Sequence, residues 1–275
     1  MKNIVVFTSS ELRHTAFRVF ISNFSGINVL KTFSEDGKLL KKKLLKEKDQ
    51  DVNLQLEHLE RRNQYEKKYF QKYISQTQDL SKNFKCHSGF VSTIECLDKL
   101  KKLNPDLIIV YGSSLIKGNI INEFKNKILN VHLGLSPYYR GSGTNYFPFV
   151  LNEPEYAGAT FMFLDKGVDT GQIIHQFRPR ILPDDTFHEI GTRLIKDMFK
   201  IYSQIIVNYN IIESIEFKDS QTKRLVFKMK DFTSSSLTKL NDNFNNDLIK
   251  NYLKNKLASD KLVPIIQQKW IQNVL

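Results

Sequence analysis

Short apolar runs alternate with amphipathic stretches along much of this chain, and that alternation constrains its fold more than any other feature. Runs of this kind, separated by helical patterns, favour βαβ units and a parallel sheet. The run DLIIVYG is almost continuously apolar, which is typical of a parallel strand buried on both faces. The sequence therefore predicts an α/β fold with a Rossmann-like, mostly parallel sheet flanked by helices. The predicted strands are residues 3–8, 27–33, 106–112, 128–133 and 158–164.

Helical signals lie between these strands. Ser9 and Ser10 are candidate N-caps for a first helix with Glu11 in its first turn. Leucines at spacing three predict a second helix over 94–103, which ends at Asn104-Pro105 because proline disfavours helical geometry in the residue before it. A third helix is predicted around 115–126.

Residues 38–75 interrupt the alternation, because Leu, Glu, Lys and Gln dominate this segment and it contains no proline. This composition predicts a helical insertion of two helices, lying as a solvated cover over a sheet edge. In an alternative that stays open, His58, Arg61 and Arg62 grip an acidic substrate. The simplest organisation is one domain over 1–205 and a small C-terminal extension over 206–275, with a strand from about residue 227 and an amphipathic helix.

Composition limits the classes of function. Lys and Arg number 41 against 29 Asp and Glu, a formal net charge of +12. These cations are spread along the chain rather than clustered with aromatic residues, so a nucleic-acid partner is not favoured. No apolar run is long enough to span a bilayer. Cys86 and Cys96 are too few for a disulfide framework and lack metal-ligand spacing, so we expect a cytoplasmic protein with no membrane segment and no metal.

Polar side chains stand at the end of the predicted strand 128–133. Asn130 and His132 are two residues apart, so both project from one face of that strand. Ligands of open α/β sheets bind beyond the carboxyl ends of the strands. The glycine-containing loop LDKGVDTG follows strand 158–164 and brings Asp169 toward the same crevice. An amide, an imidazole and a carboxylate suit attack of an amine on an activated formyl carbonyl, with two groups holding the developing oxyanion and the third taking a proton.

Each of these residues also has a structural interpretation. A histidine in a strand is often a core residue with satisfied hydrogen bonds, and Asp169 before Thr170 and Gly171 suits a turn. The segment GSGT at 141–144 lacks a following lysine and is not a P-loop. The ordered combination, rather than any single residue, carries the functional prediction.

That combination resembles the signature of the folate-dependent formyltransferases. Its elements are Asn130, His132, Pro137, Arg140-Gly141, Asp165, Gly167, Asp169 and Gly171, in that order. The resemblance implies a formyltransferase N-terminal-type catalytic domain over 1–205 and 10-formyltetrahydrofolate as co-substrate. It further implies that Asn130 and His132 polarise the formyl oxygen and that Asp169 manages protons.

The resemblance also places the pterin of the co-substrate. Backbone groups after strand 106–112 would hold it, and two residues after strand 158–164 would complete the pocket. These residues are Gly112, Ser113, Ser114, Leu115 and Ile116, with Leu164 and Asp165. Family members usually have a bulkier apolar residue where Ser113 falls, which makes this side of the match looser than the three catalytic residues.

The acceptor amine is constrained by two departures from family patterns. Methionyl-tRNA formyltransferases carry a C-terminal β-barrel, whereas the extension here looks helical. Glycinamide ribonucleotide formyltransferases have a glycine-rich phosphate loop after the first strand, whereas this chain has SSELRHTAF. Arg13 and His14 fall instead in the first helical turn, where backbone N–H groups favour an anion.

An amino-sugar nucleotide, or a similar small amino metabolite, is the leading acceptor because the architecture resembles the sugar N-formyltransferases. The loop SPYYRGSGTNYF offers Tyr138, Tyr139, Arg140 and Asn145 to such a polar ring. A methionyl-tRNA formyltransferase, a formyltetrahydrofolate hydrolase and a non-catalytic binding module remain as alternatives. The predicted partner is a small-molecule amine, and a homodimer is a possible assembly.

Overall fold

A seven-stranded sheet forms the centre of the computed structural model, which describes residues 1–37, 52–215 and 224–271. The strand order is β3-β2-β1-β4-β5-β7-β8, parallel from β3 to β5, with β7 and β8 each antiparallel to the preceding neighbour. A separate parallel pair joins β6 to β9. The strands are β1 (Lys2–Ser9), β2 (Ile27–Glu35), β3 (Asn83–Cys86), β4 (Leu107–Tyr111), β5 (Ile128–His132), β6 (Tyr139–Gly141), β7 (Ala159–Phe163), β8 (Ile173–Phe177) and β9 (Leu225–Phe227).

Helices cover both faces of the sheet. They are α1 (Leu12–Ser22), α2 (Val52–Glu66), α3 (Lys72–Gln76), α4 (Ile94–Leu103), α5 (Asn119–Glu123), α6 (Phe147–Val150), α7 (Phe187–Val207), α8 (Ser234–Asn245) and α9 (Leu248–Leu262). One apolar layer packs α1 and α7 against the sheet, and a second packs α4 and α5 against the opposite face. The predicted α/β class and the five predicted strands are confirmed. Within the described ranges, none of these helices is both long and apolar enough to cross a membrane.

Two details of the predicted helices are wrong. The N-cap of α1 is Glu11 rather than Ser9 or Ser10. The Ser10 hydroxyl instead accepts a hydrogen bond from the Gly37 backbone N–H at 2.9 Å. The helix expected around 115–126 is only the short α5, because Gly118 precedes it with a positive φ of 78° that a helix does not adopt.

The helical segment predicted at 38–75 is confirmed for its described part, since α2 and α3 are joined by a single π turn at Lys67–Gln71. Residues 38–51, where the first of the two predicted helices falls, lie outside the described residues. The segment connects β2 to the edge strand β3, so it is the crossover of a βαβ unit. It packs against α1, α7 and α8, and buries Phe70 in the main core.

The described part of the C-terminal extension shares a core with the loop that follows β5. Its expected strand is β9, which pairs with β6 inside that loop. The expected single helix is two, because Asp247 has a left-handed backbone with φ of 59° between α8 and α9. Leu237 and Leu240 of α8 join Tyr138 and Phe149 in one apolar cluster.

Candidate active site

The end of β5 presents the polar residues that the sequence singled out. Ile128, Asn130 and His132 alternate with core residues along the strand, so they share one face. Asn130 lies between Val110 of β4 and Met162 of β7. Within the described ranges the Asn130 amide makes no hydrogen bond to the rest of the chain, which leaves it available to a ligand at this edge of the sheet.

His132 and Asp169 meet across the crevice. The Asp169 Oδ2 atom is 3.2 Å from His132 Nδ1. On the other edge of the ring, Nε2 is 3.1 Å from the Tyr139 carbonyl oxygen. Asp169 Oδ2 also accepts a hydrogen bond from the Gly141 N–H at 2.9 Å. These contacts fix the plane of the imidazole and hold a carboxylate against it, although 37 residues separate the two side chains in the sequence.

The loop carrying Asp169 is shaped by its own hydrogen bonds. The Asp165 Oδ1 atom accepts from the Gly167 N–H and from the Thr170 hydroxyl, both at 2.9 Å. Asp169 itself has a left-handed backbone with φ of 52°. A Cβ at Gly171 would lie 1.7 Å from the Phe163 carbonyl oxygen, so only glycine fits there. The side chain of Asp165 is therefore engaged in the turn, and only its backbone remains for a cofactor.

A cavity of about 360 Å³ opens beside His132. Its walls come from α2, from the loop after β5, from α7 and from the turn after β9. One wall atom, Asn145 Oδ1, is buried and has no hydrogen-bond partner in the described structure. An unpaired buried oxygen costs free energy, so it points to a ligand that donates a hydrogen bond there.

Aromatic rings line the far part of this cavity. His58 of α2 and His188 of α7 have ring centroids 4.6 Å apart, and Tyr146, Phe187 and Phe232 surround His58. Burial lowers the pKa of His58 to about 3 and that of His188 to about 4, helped by nearby arginines. Both rings are therefore neutral at pH 7 and offer flat, weakly polar surfaces.

The predicted anion-binding residue Arg13 lies on the cavity wall, but its guanidinium is already paired. It forms ion pairs with Glu11 and with Glu66, the latter at 2.6 Å. Burial opposes its charge, yet these carboxylates raise the pKa of Arg13 above its usual value. Arg62, on α2, lies 3.6 Å from the same Glu66 carboxylate.

Two expected substrate-binding residues are core residues. His14 is buried against Gly112 and packs edge-on to Tyr111 at 4.7 Å. Burial lowers the pKa of His14 well below its usual value, so it is neutral and turned away from an anion. Tyr139 is fully buried, with its ring 5.7 Å from Phe227 and its hydroxyl donating to Glu153. Neither side chain reaches the cavity.

Arg140 faces a different cavity from Asn145. It lines a space of about 530 Å³ on the outer side of Asp169, together with Arg224. Tyr138, the other aromatic residue of the loop, is buried, and its hydroxyl donates to the Pro264 carbonyl at 3.0 Å. Of the four loop residues predicted to bind the acceptor, Asn145 lines the cavity beside His132.

The residues expected to hold the pterin do come together. Ile116, after the carboxyl end of β4, and Leu164 pack in one apolar cluster. The Leu164 N–H donates to the Ile128 carbonyl at the start of β5, and Leu115 is 53% exposed. Gly112 has a positive φ of 74°, which turns the segment sharply out of β4. An apolar floor with backbone groups around it fits a flat heteroaromatic ring. The Ser113 hydroxyl donates to the Ser114 carbonyl at 3.1 Å.

Glu35 and His188 were not predicted from the sequence, and the role of His58 stayed open. Glu35 lies at the end of β2, buried beside Ser114. β2 reads INVLKTFSE and already contains Asn28, Lys31 and Ser34, so nothing in the sequence distinguishes its terminal acidic residue. No sequence pattern pairs His58 with His188, because their contact joins helices that are distant along the chain.

Comparisons with known proteins show which proteins this chain is similar to. Residues 2–206 match the family model described as formyl transferase. Methionyl-tRNA formyltransferase of Finegoldia magna is 33% identical over 161 residues, covering 57% of this chain and 50% of that protein. Chloroplastic phosphoribosylglycinamide formyltransferase of Arabidopsis thaliana is 30% identical over 124 residues, covering 43% of this chain and 42% of that protein. The matched region therefore spans half or less of each of these two relatives.

Solved structures show the same fold at lower identity. Phosphoribosylglycinamide formyltransferase of Anaplasma phagocytophilum has a TM-score of 0.54 at 15% identity, covering 82% of this chain and 99% of that one. A 4-N formyltransferase from Francisella tularensis has a TM-score of 0.53 at 18% identity, covering 84% of this chain and 78% of that one. At these identities the likeness concerns the fold alone.

Proposed function

The chain belongs to the formyl transferase family, and on that premise we propose that it moves a formyl group from 10-formyltetrahydrofolate to an amine. The observation that carries the proposal is the His132–Asp169 pair, whose Nδ1 and Oδ2 atoms are 3.2 Å apart, with His132 on the wall of the cavity of about 360 Å³. Asn130 projects from the same strand face as His132. An amide and an imidazole on β5 and a carboxylate from the loop after β7 would thus flank a transferable acyl group near the carboxyl end of β5.

Each residue has a distinct task in this reaction. The co-substrate supplies the formyl carbon, and the backbone at 112–116 and around Leu164 would hold it. Asn130 donates a hydrogen bond to the carbonyl oxygen, where negative charge develops as the amine attacks. His132 donates to the same oxygen through Nε2, which in the free protein lies 3.1 Å from the Tyr139 carbonyl oxygen. Asp169 orients the His132 ring and accepts, directly or through water, the proton that the amine loses. The bond between the formyl carbon and the folate nitrogen then breaks, and the proton passes to that nitrogen as tetrahydrofolate leaves. One such oxyanion donor is worth about 10²–10³ in rate.

For the acceptor we propose a small amine carried on a ring, with an amino-sugar nucleotide as the leading class. The cavity beside His132 supports this choice by its size and by the neutral rings of His58 and His188. The unpaired Asn145 Oδ1 would accept a hydrogen bond from the acceptor's amine or hydroxyl. Lys228 on the cavity wall offers a cation to an anionic group, whereas Arg62 on the same wall lies 3.6 Å from the Glu66 carboxylate.

The experiment is an assay of tetrahydrofolate release from 10-formyltetrahydrofolate, with and without a panel of nucleotide-linked amino sugars. Release stimulated by one sugar supports the proposal and identifies the acceptor. Release without any acceptor indicates a hydrolase. No release despite folate binding contradicts the proposed transfer to these amines and favours a binding module.

Methionyl-tRNA is the second candidate acceptor, because the Finegoldia magna relative, at 33% identity, carries that activity in its name. A tRNA acceptor makes a distinct prediction about salt. Phosphate contacts release counterions on binding, so affinity falls steeply as salt rises. Formylation of a charged tRNA that drops by about tenfold or more between 50 and 200 mM salt would favour this candidate over a small amine.

A further inference from the structure

Glu35 is a buried carboxylate outside the three catalytic residues, at the carboxyl end of β2. Its side chain is 2% exposed. No ion pair of Glu35 occurs among residues 1–37, 52–215 and 224–271. A buried carboxylate is costly unless hydrogen bonds satisfy it, and here backbone donors do so.

Those donors come from two loops at the same edge of the sheet. Glu35 Oε1 accepts from the Gly89 N–H at 2.8 Å and from the Val91 N–H at 3.4 Å. Its Oε2 accepts from the Ser114 N–H at 2.6 Å, and the Ser114 hydroxyl donates to Oε1 at 3.0 Å. One carboxylate thus ties the 89–91 turn to the 112–116 segment.

A second link reinforces the first. The Ser92 hydroxyl, in the same turn, donates to the Leu115 carbonyl at 3.2 Å and accepts from the Lys117 N–H at 3.0 Å. The segment 113–117 is therefore fastened at its start by Glu35 and at its end by Ser92, and Glu35 also holds the turn that carries Ser92.

We propose that Glu35 is a positioning residue for the co-substrate, which sets the 112–116 backbone in the conformation that receives the pterin. This inference rests on the proposed function. Two consequences follow from the geometry. The Ser114 N–H points at Glu35 and so does not face the ligand, while exposed Leu115 and buried Ile116 are left to shape the pocket.

The side chain must be an acceptor at both oxygens. Glu35→Gln keeps the size of the side chain but replaces one acceptor oxygen by an NH₂ group. That donor would face another donor, either the Ser114 N–H or the N–H groups of the 89–91 turn, and one hydrogen bond would be lost. Hydrogen bonds to charged groups contribute about 1.5–3 kcal/mol. If the 112–116 backbone shifts in response, affinity for the co-substrate falls by roughly tenfold to a hundredfold.

The test measures tetrahydrofolate binding by titration calorimetry, and amide hydrogen exchange of residues 112–117, in the wild type and Glu35→Gln. We expect binding at least about tenfold weaker and faster exchange in this segment. Ser92→Ala removes only the second link at an exposed position, so it should fold and weaken binding by a smaller factor, about two- to fivefold.

Two controls separate positioning from general destabilisation. Ile21→Ala opens a cavity in α1, on the other face of the sheet, and should lower the melting temperature without changing tetrahydrofolate affinity. Glu123→Gln changes an exposed carboxylate and should change neither quantity. Equal tetrahydrofolate affinity and equal exchange in the wild type, Glu35→Gln and Ser92→Ala would overturn the inference while the proposed function stands. A wild-type protein that binds no tetrahydrofolate would reject the proposed function itself, and this inference with it.

Discussion

At the scale of single residues, the substitution Asp169→Asn removes the negative charge while keeping the local structure. The left-handed backbone of Asp169 is strained for most residues, but asparagine adopts that region readily. Asp169→Asn also keeps an oxygen that can accept the hydrogen bond from the Gly141 N–H. We therefore expect turnover to fall by about 10²-fold or more, with little change in melting temperature, because only the proton acceptor is lost.

Tetrahydrofolate release and a thermal melt of Asp169→Asn check this prediction together. Asp184→Asn, at an exposed position beyond β8, is the matched control and should behave as the wild type. Turnover like that of the wild type in Asp169→Asn would remove Asp169 from the proposed mechanism.

Replacing Asn145 should weaken binding of the acceptor without lowering the stability of the protein. The Asn145 Oδ1 atom is buried and unpaired in the described structure, so replacing the side chain by an apolar one of similar size removes a desolvation cost. For Asn145→Leu we expect an unchanged or higher melting temperature, unchanged tetrahydrofolate affinity and a KM for the acceptor raised about tenfold. An unchanged acceptor KM would place the amine elsewhere.

The candidate site was only partly predictable, for reasons visible at this scale. Asn130 and His132 share a strand face because side chains two residues apart in a strand point the same way. That spacing can be read directly from the sequence. The burial of His14 and Tyr139 was not predicted, because a polar side chain near a helix start or in a loop carries no local sign of burial. Their places are set by Gly112 and Phe227, which only the fold brings near them.

At the scale of elements, the strands of the central sheet that the sequence predicted contain apolar runs, such as LIIVY in β4, which is buried throughout. The edge strands β3 and β8 were not predicted. NFKC in β3 is too polar to stand out, and β8 contains His175 and Gln176, which are buried. The Gln176 NH₂ group donates to the Ser136 carbonyl, while residues 266–268, about ninety positions later, donate to Gln176 Oε1 and His175 Nδ1. The partners of these polar groups are therefore distant along the chain, and no local pattern predicts the strand.

That distant contact yields a prediction about Gln268, which is fully buried against β8. Its side-chain NH₂ donates to the Ile174 and Glu213 carbonyls, and its Oε1 accepts from the Glu213 N–H. Gln268→Ala leaves these buried groups unpaired and should lower the free energy of unfolding by about 2–4 kcal/mol. Urea titration measures it, with exposed Gln267→Ala as the control, expected within about 0.5 kcal/mol of the wild type. Equal loss in both variants would mean that Gln268 does not anchor this edge.

At the scale of the whole molecule, burial keeps four of the six histidines neutral. The pKa of His175 is lowered to about 4 by burial alone, and burial likewise lowers those of His14, His58 and His188. These residues lie on α1, α2, α7 and β8, so protonation at low pH destabilises four different elements at once. In the unfolded chain these histidines are protonated near pH 6.5, whereas in the folded chain their lowered pKa values delay protonation to a more acidic pH.

Stability should therefore fall as the pH drops from about 6.5 toward 4, before most carboxylates titrate. His175 tests one part of this effect, because its Nδ1 only accepts, from the Gln268 N–H at 3.0 Å, and an asparagine oxygen can replace that acceptor. His175→Asn should be less stable than the wild type at pH 7, yet lose less stability between pH 7 and pH 5. The difference in loss should be about 2 kcal/mol, as expected for a histidine with a pKa near 4 in the folded state and 6.5 in the unfolded state. Urea midpoints at the two pH values measure it, and an identical pH dependence in both proteins would show that His175 is not held neutral by the fold.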